Sequence, residues 1–203
     1  MGSLETLSTK IKILMDRIIS YGLWKVINLE FYEVIRTRRS VRSYKPDPIP
    51  DEVLKRVLEA ARIAPSGSNR QPWRFIVVKD EELKKKLVPA CHNQSWIAEA
   101  PVIIVACAQE LSYNRGGYMG KLSGVMDATI AFTHLILAAR AEGLGTCWIG
   151  AFDNDRVKEV LGIPSGWNVA ALTPLGYPAE GESAFREPAG RKSLEEIVST
   201  DKF

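Results

Sequence analysis

From Val102 to Ala108 the chain is apolar at every position and rich in β-branched residues, with Pro101 before it and polar residues after it. A half-exposed strand alternates polar and apolar side chains, so a run without a polar face reads as a strand buried on both sides. Its counterpart is the longest expected helix, Lys121–Glu142, closed at Gly143 where a left-handed C-cap fits. That helix can be buried on more than one face. Whatever fold the chain adopts must cover these two elements.

Shorter elements alternate around them. Pro46, Pro48 and Pro50 make an extended linker. Asp51 is expected to cap a helix to Ala64, with Val53, Leu54, Val57, Leu58 and Ala61 on its buried face. Strands are expected over Arg74–Lys79, Thr146–Gly150 and Val169–Leu175, and helices over Asp80–Val88, Gln94–Glu99 and Asp153–Leu161. Gly162 and Pro164 close the last of these. Tyr113–Gly120 reads as loop, and Leu194–Ser199 closes the chain. Upstream, Leu4, Leu7, Ile11, Leu14 and Ile18 recur at three- and four-residue steps, the mark of an amphipathic helix. Gly22 breaks it, and a second helix carries Val26 to Ile35. The class is α+β, with a helical extension over 1–32 and one globular domain over 33–203.

Composition narrows the function. The chain has 203 residues, 46% hydrophobic and 25% charged, which is ordinary soluble usage. A net charge of +3 is too mild for a nucleic-acid partner. Cys91, Cys107 and Cys147 are odd in number and unrelated in spacing, so they read as reduced core thiols of a cytoplasmic protein. With only His92 and His134, no CxxC and no HExxH, no metal site is expected. Met1 to Ser20 mixes charge throughout, unlike a signal peptide. Val125–Ala139 is interrupted by Asp127 and His134 and is too short for a bilayer, so no membrane association is expected.

Three segments carry chemistry. Arg38-Arg39-Ser40-Val41-Arg42 packs three guanidiniums and a hydroxyl into five residues, the equipment for holding a phosphate through bidentate, charge-assisted bonds. A solvated loop can carry the same residues. Ala64-Pro65-Ser66-Gly67-Ser68-Asn69-Arg70-Gln71-Pro72-Trp73 is a donor-rich turn running into an apolar strand. In Gly145-Thr146-Cys147-Trp148-Ile149-Gly150-Ala151-Phe152, Trp148 and Ile149 supply flat apolar area, and Gly150 permits close backbone approach.

In this order, with one helix between the first two, these segments resemble the nitroreductase family of FMN-dependent oxidoreductases, over about Glu33 to Val198. The resemblance implies a central, mostly antiparallel sheet flanked by helices, in an interlocked homodimer with two FMN at the interface. It also implies ping-pong hydride transfer from NADH or NADPH, through the flavin N5, to a small-molecule acceptor such as a nitroaromatic or a quinone. Arg38, Arg39 and Ser40 match positions that bind phosphate and ribityl oxygens. Arg42 matches the cation at the flavin N1 and O2 edge, where it stabilises the charge of the reduced ring. Pro65, Ser66, Gly67 and Asn69, with Gln71, match the loop that reaches the flavin from the partner subunit. Trp148, Ile149 and Gly150 match the wall beside the ring, with a backbone N–H near Gly150 directed at N5. Arg191 or Lys192 matches the cation completing the phosphate pocket; the family often has proline where Ser193 stands, which leaves the choice open. Asn93 and Gln94 are further candidates for the pyrimidine edge.

No side chain need act as acid or base, because the cofactor carries the electrons. GxGxxG is absent, so the nicotinamide visits rather than resides. Ser66 and His92 lack the GxSxG setting of a hydrolase. The N-terminal stripe is expected to pack against the rest of the dimer, with a membrane surface or partner as the alternative. Other readings are a specialised relative, such as a reductive dehalogenase or a flavin-fragmenting enzyme with a lid from Tyr113–Met119 or the N-terminal helices, and a non-catalytic flavin- or partner-binding protein.

Overall fold

The computed structural model describes residues 29–112 and 117–203. The N-terminal stripe, most of the first half of the second expected helix and residues 113–116 of the candidate lid lie outside the described residues. Helix α1 (Phe31–Thr37) runs two residues past the expected end at Ile35, and Glu30 accepts from the Tyr32 N–H at its start. Helix α2 spans Asp51–Arg62, and its N-cap is Pro50 rather than Asp51. Asp51 is the first helical residue, where with Glu52 it sets negative charge beside free N–H groups.

Strand β1 (Trp73–Val78) leads to α3 (Glu81–Ala90), capped by the Asp80 carboxylate, which accepts from the Leu83 N–H at 2.8 Å. Then follow β2 (Val102–Gln109), α4 (Met119–Ala141), β3 (Gly145–Thr146), α5 (Asn154–Leu161) and β4 (Trp167–Gly176). The expected Gln94–Glu99 helix is a single 3₁₀ turn at Ser95–Ala98. Asp153 caps α5, and Gly162 closes it at φ 64°, a left-handed conformation glycine adopts without cost. Leu194–Ser199 forms exposed turns.

The sheet runs β1-β2-β4-β3, antiparallel throughout. Every residue from Val102 to Ala108 is at most 2% exposed. Alternate side chains enter two separate cores. Val102, Ile104 and Ala106 pack with apolar residues of α2 and α4, while Ile103, Val105 and Cys107 pack with those of α3 and α5.

Helix α4 is long and apolar enough to cross a membrane by length and composition. In the fold it is a core helix: Phe132, Leu135 and Ala139 are fully buried. Gly124 lets it close on the end of β2, since a Cβ there would fall 2.2 Å from the Gln109 carbonyl oxygen. Leu122, Val125 and Ile130 remain 40–44% exposed on its outer side.

The strand expected over Thr146–Gly150 is broken. Only Gly145 and Thr146 join the β4 ladder, and the chain returns to it in a single bridge between Ile149 and Leu172. The reason is a side chain of the neighbouring strand: the Cys147 N–H donates to the Thr173 hydroxyl at 3.0 Å, which takes the place of a ladder carbonyl.

Candidate functional site

The arginine segment lies alongside β3. Ser40 bridges Thr146 in parallel, and the Val41 N–H donates to the Thr146 carbonyl at 2.9 Å. Gly145 makes this possible, because a Cβ there would lie 2.9 Å from Val41 side-chain carbons. The Tyr44 hydroxyl donates back to the Val41 carbonyl at 2.6 Å and fixes the turn. A cleft of about 300 Å³ results, lined on one wall by Arg39, Ser40, Arg42 and Ser43 and on the other by Glu180 and Arg186. Sequence reasoning missed Arg186; no local motif marks it, and only the path of the chain after β4 brings it here.

Arg39 is half-buried. Its Nη1 donates to the carbonyls of Arg36 and Arg38, and its buried Nη2 makes no hydrogen bond. Desolvation first, then the charges of Arg38, Arg191 and Arg186, push the guanidinium below its ordinary pKa, with Glu187 opposing. Like charges converging on a desolvated, unsatisfied N–H form an arrangement that an anion relieves. Of the two tail cations, Arg191 is the one whose charge bears on Arg39; both it and Lys192 are exposed. The Arg42 guanidinium carbon lies 5.8 Å from the centroid of the Trp96 ring, a cation–π distance. Arg38 caps the end of α1.

Trp148 and Ile149 point opposite ways. Trp148 is 37% exposed and meets Phe132 edge to face, with centroids 4.8 Å apart. Ile149 is 3% exposed, and its N–H and C=O are both paired with Leu172, so its side chain belongs to the core. Gly150 is exposed, and a Cβ there would meet only Trp148 Nε1 at 3.9 Å. Gln94 Nε2 donates to the carbonyls of Cys91 and Ala151, tying down the residue after Gly150. His92 and Asn93 are exposed in left-handed conformations at the end of α3.

Burial raises the pKa of all three thiols, to about 11 for Cys91 and Cys107. They are protonated at neutral pH and are poor nucleophiles.

The second segment stands apart. The Ser66 hydroxyl accepts from the Gln71 N–H at 2.9 Å, and Gln71 Nε2 donates to the Asn69 carbonyl at 3.0 Å. The Gly67 N–H donates to the carboxylate of Asp127, buried on α4. Ser68, Asn69 and Gln71 hold φ values of 53°, 54° and 52°. This loop enters β1 at Trp73, opposite Ala108, whereas the arginine segment flanks Thr146, opposite Leu175, which itself pairs with Val102. The six residue steps from Val102 to Ala108 span roughly 20 Å, and β1 and β3 are opposite edges of the sheet. One chain therefore joins the first and third segments and leaves the loop Pro65–Gln71 on the far diagonal.

Comparison with known proteins agrees with this architecture. The model of the nitroreductase family matches residues 35–97 and 92–177. The FMN reductase [NAD(P)H] of Bacillus subtilis (strain 168) is 34% identical, with 73% of this chain and 67% of that protein covered. Iodotyrosine deiodinase 1 of Rattus norvegicus is 30% identical, over 84% of this chain and 69% of its own. The crystal structure of a nitroreductase family protein from Clostridium novyi NT superposes with a TM-score of 0.68 at 39% identity, covering 75% of this chain and 87% of the other.

Proposed function

This chain belongs to the nitroreductase family, and from that premise we propose that it holds flavin mononucleotide at the arginine cleft and completes the site with the Pro65–Gln71 loop of a second copy. The family makes the chain an NAD(P)H-dependent flavin oxidoreductase. The observation that carries FMN as the flavin is Arg39: a desolvated guanidinium with an unsatisfied Nη2, among Arg38, Arg186 and Arg191, beside an open cleft.

Arg38, Arg39 and Ser40, with Arg191, hold the phosphate and ribityl oxygens through charge-assisted bonds. Arg42 lies further along the same cleft and takes the N1 and O2 edge. Trp148 and the backbone at Gly150 bound one face of the ring, with Ile149 supporting them from the core. A flavin held by these residues would supply the redox chemistry, hydride transfer at N5 between NADH or NADPH and an electron acceptor such as a quinone or a nitroaromatic. One open face serves donor and acceptor in turn, so the kinetics are ping-pong. Three unpaired, buried thiols fit a reducing, cytoplasmic location.

The test is direct. The pure protein is yellow and releases intact FMN, about one per chain by the resemblance, on denaturation. Double-reciprocal plots for NADH and a quinone are parallel. A colourless protein that refuses added FMN overturns the reading, and intersecting lines replace ping-pong with two separate sites. Likeness to the deiodinase over most of the chain favours a second reading, reductive removal of a halogen from a phenol. Iodide release from an iodinated phenol, outpacing quinone reduction in the same preparation, would establish it.

A further inference from the structure

Arg140 sits in the last turn of α4, outside all three segments, and is only 3% exposed. Burying a guanidinium costs several kcal/mol unless its charge and N–H groups are met. The groups that meet it therefore show what it holds. Its Nε donates to the Thr37 hydroxyl at 3.0 Å. Its guanidinium carbon lies 3.8 Å from the centroid of the Phe185 ring. Its Nη1 makes no hydrogen bond and stands 3.8 Å from the Glu182 carboxylate.

Thr37 lies two residues before Arg39, which stands on one wall of the cleft. Phe185 immediately precedes Arg186 on the other. An exposed ion pair, Arg36 with Glu187 at 2.8 Å, also links these two stretches. Exposed pairs contribute little, so the buried contact governs how the walls stand.

We propose that Arg140 is a positioning residue that sets the spacing of Arg39 and Arg186 across the cleft, and through it the grip on the ligand's phosphate. This rests on FMN being the ligand. Riboflavin, which carries the same ring and ribityl chain without the phosphate, separates positioning of the cleft from general support of the fold.

The experiment measures the affinities of FMN and riboflavin by fluorescence quenching for the parent, Arg140→Met, Thr37→Val and Phe185→Leu. Arg140→Met weakens FMN by about ten-fold or more, the size of a lost charge-assisted bond, while riboflavin affinity holds within about two-fold. Thr37→Val and Phe185→Leu each remove one partner, keep the charge, and erode the preference for FMN by a few-fold; they decide the matter should Arg140→Met not fold. Parallel weakening of FMN and riboflavin overturns the proposal, as does full parental preference in Thr37→Val and Phe185→Leu. A parent that binds both flavins equally refutes the phosphate cleft itself before any variant is compared.

Discussion

The arginine edge and the Pro65–Gln71 loop were expected to grip one ligand, yet they are built in opposite ways. At the arginine edge, backbone pairing with Thr146 and the missing side chain of Gly145 assemble a cleft inside one chain. Guanidiniums gather there with one N–H unsatisfied. Among the described residues the loop has no such backbone partner strand. It is exposed from Ser68 to Gln71, bonded within itself and to Asp127, and carries three non-glycine residues at positive φ. Such residues cost of the order of 1 kcal/mol each and persist where the surroundings enforce them. One region forms a cleft within its own fold; the other is a preformed loop at the opposite edge of the sheet. Under the proposed function these are two half-sites, which a second copy would join.

The largest effect should come from preventing that meeting. Ile130 is 40% exposed on α4 and lines an apolar groove with Phe31 and Ile63. A charge buried unpaired in an interface costs about 3–5 kcal/mol, so Ile130→Glu is expected to give monomers by light scattering that have lost their flavin. A monomer binding FMN as tightly as the parent would show that one chain suffices.

Arg39→Ala should weaken FMN by roughly 1.5–3 kcal/mol, the range for hydrogen bonds to charged groups. The sharper use of this variant is mixing. Coexpressed with Gln71→Ala, it forms mixed dimers in which one site has both halves intact, so flavin content exceeds that of either variant alone. Failure to recover any would place both halves of a site on the same chain.

Each region also rests on a buried thiol. Cys107 lies opposite Arg74 beneath the loop's strand, and Cys147 beneath Ser40. A thiol whose folded pKa is raised favours the fold while protonated, so its contribution is complete below pH 9 and lost as pH rises. For Cys107, raised from 9.0 to about 11, the loss between those pH values is of the order of 2 kcal/mol. Thermal melts should fall across this window, less steeply for Cys107→Ala. Identical slopes would assign the alkaline loss to other groups.

Arg42→Ala should lower the two-electron potential of bound flavin by about 30 mV, equivalent to roughly 1.4 kcal/mol, whereas Arg38→Ala weakens retention and leaves the potential unchanged. Equal potentials in a dye-coupled titration would make Arg42 another phosphate ligand. Smallest of all, Ser68→Gly should raise stability by no more than about 1 kcal/mol, because glycine adopts φ 53° without strain. A drop in melting temperature would mean that Ser68 makes contacts that outweigh its backbone strain.

Much of the scaffold was legible in the chain itself. Val102–Ala108 reads as a doubly buried strand and is one, the helices expected from Asp80 and Asp153 begin one residue later with those acids as their caps, and Gly162 closes α5 as expected. Differences fell at element boundaries and where a distant side chain enters the ladder. Thr173 captures the Cys147 N–H and breaks the expected strand, and Pro50 displaces Asp51 from the cap. Thr173 lies 26 residues from Cys147, beyond any local pattern, whereas the Pro50 case is a one-residue shift of a boundary.

Element order and family can be read along the chain, as can a cluster of cations suited to a phosphate, because periodicity, caps and charge clusters are properties of neighbouring residues. Tertiary structure alone decided that Ile149 faces the core while Trp148 faces out, that Arg186 joins the cleft, that Arg140 is buried behind it, and that loop and cleft lie on opposite edges of the sheet. The physical reason is distance along the chain. Arg140 lies 103 residues from Thr37, and only burial of the core, which no short window of residues can express, brings such groups together.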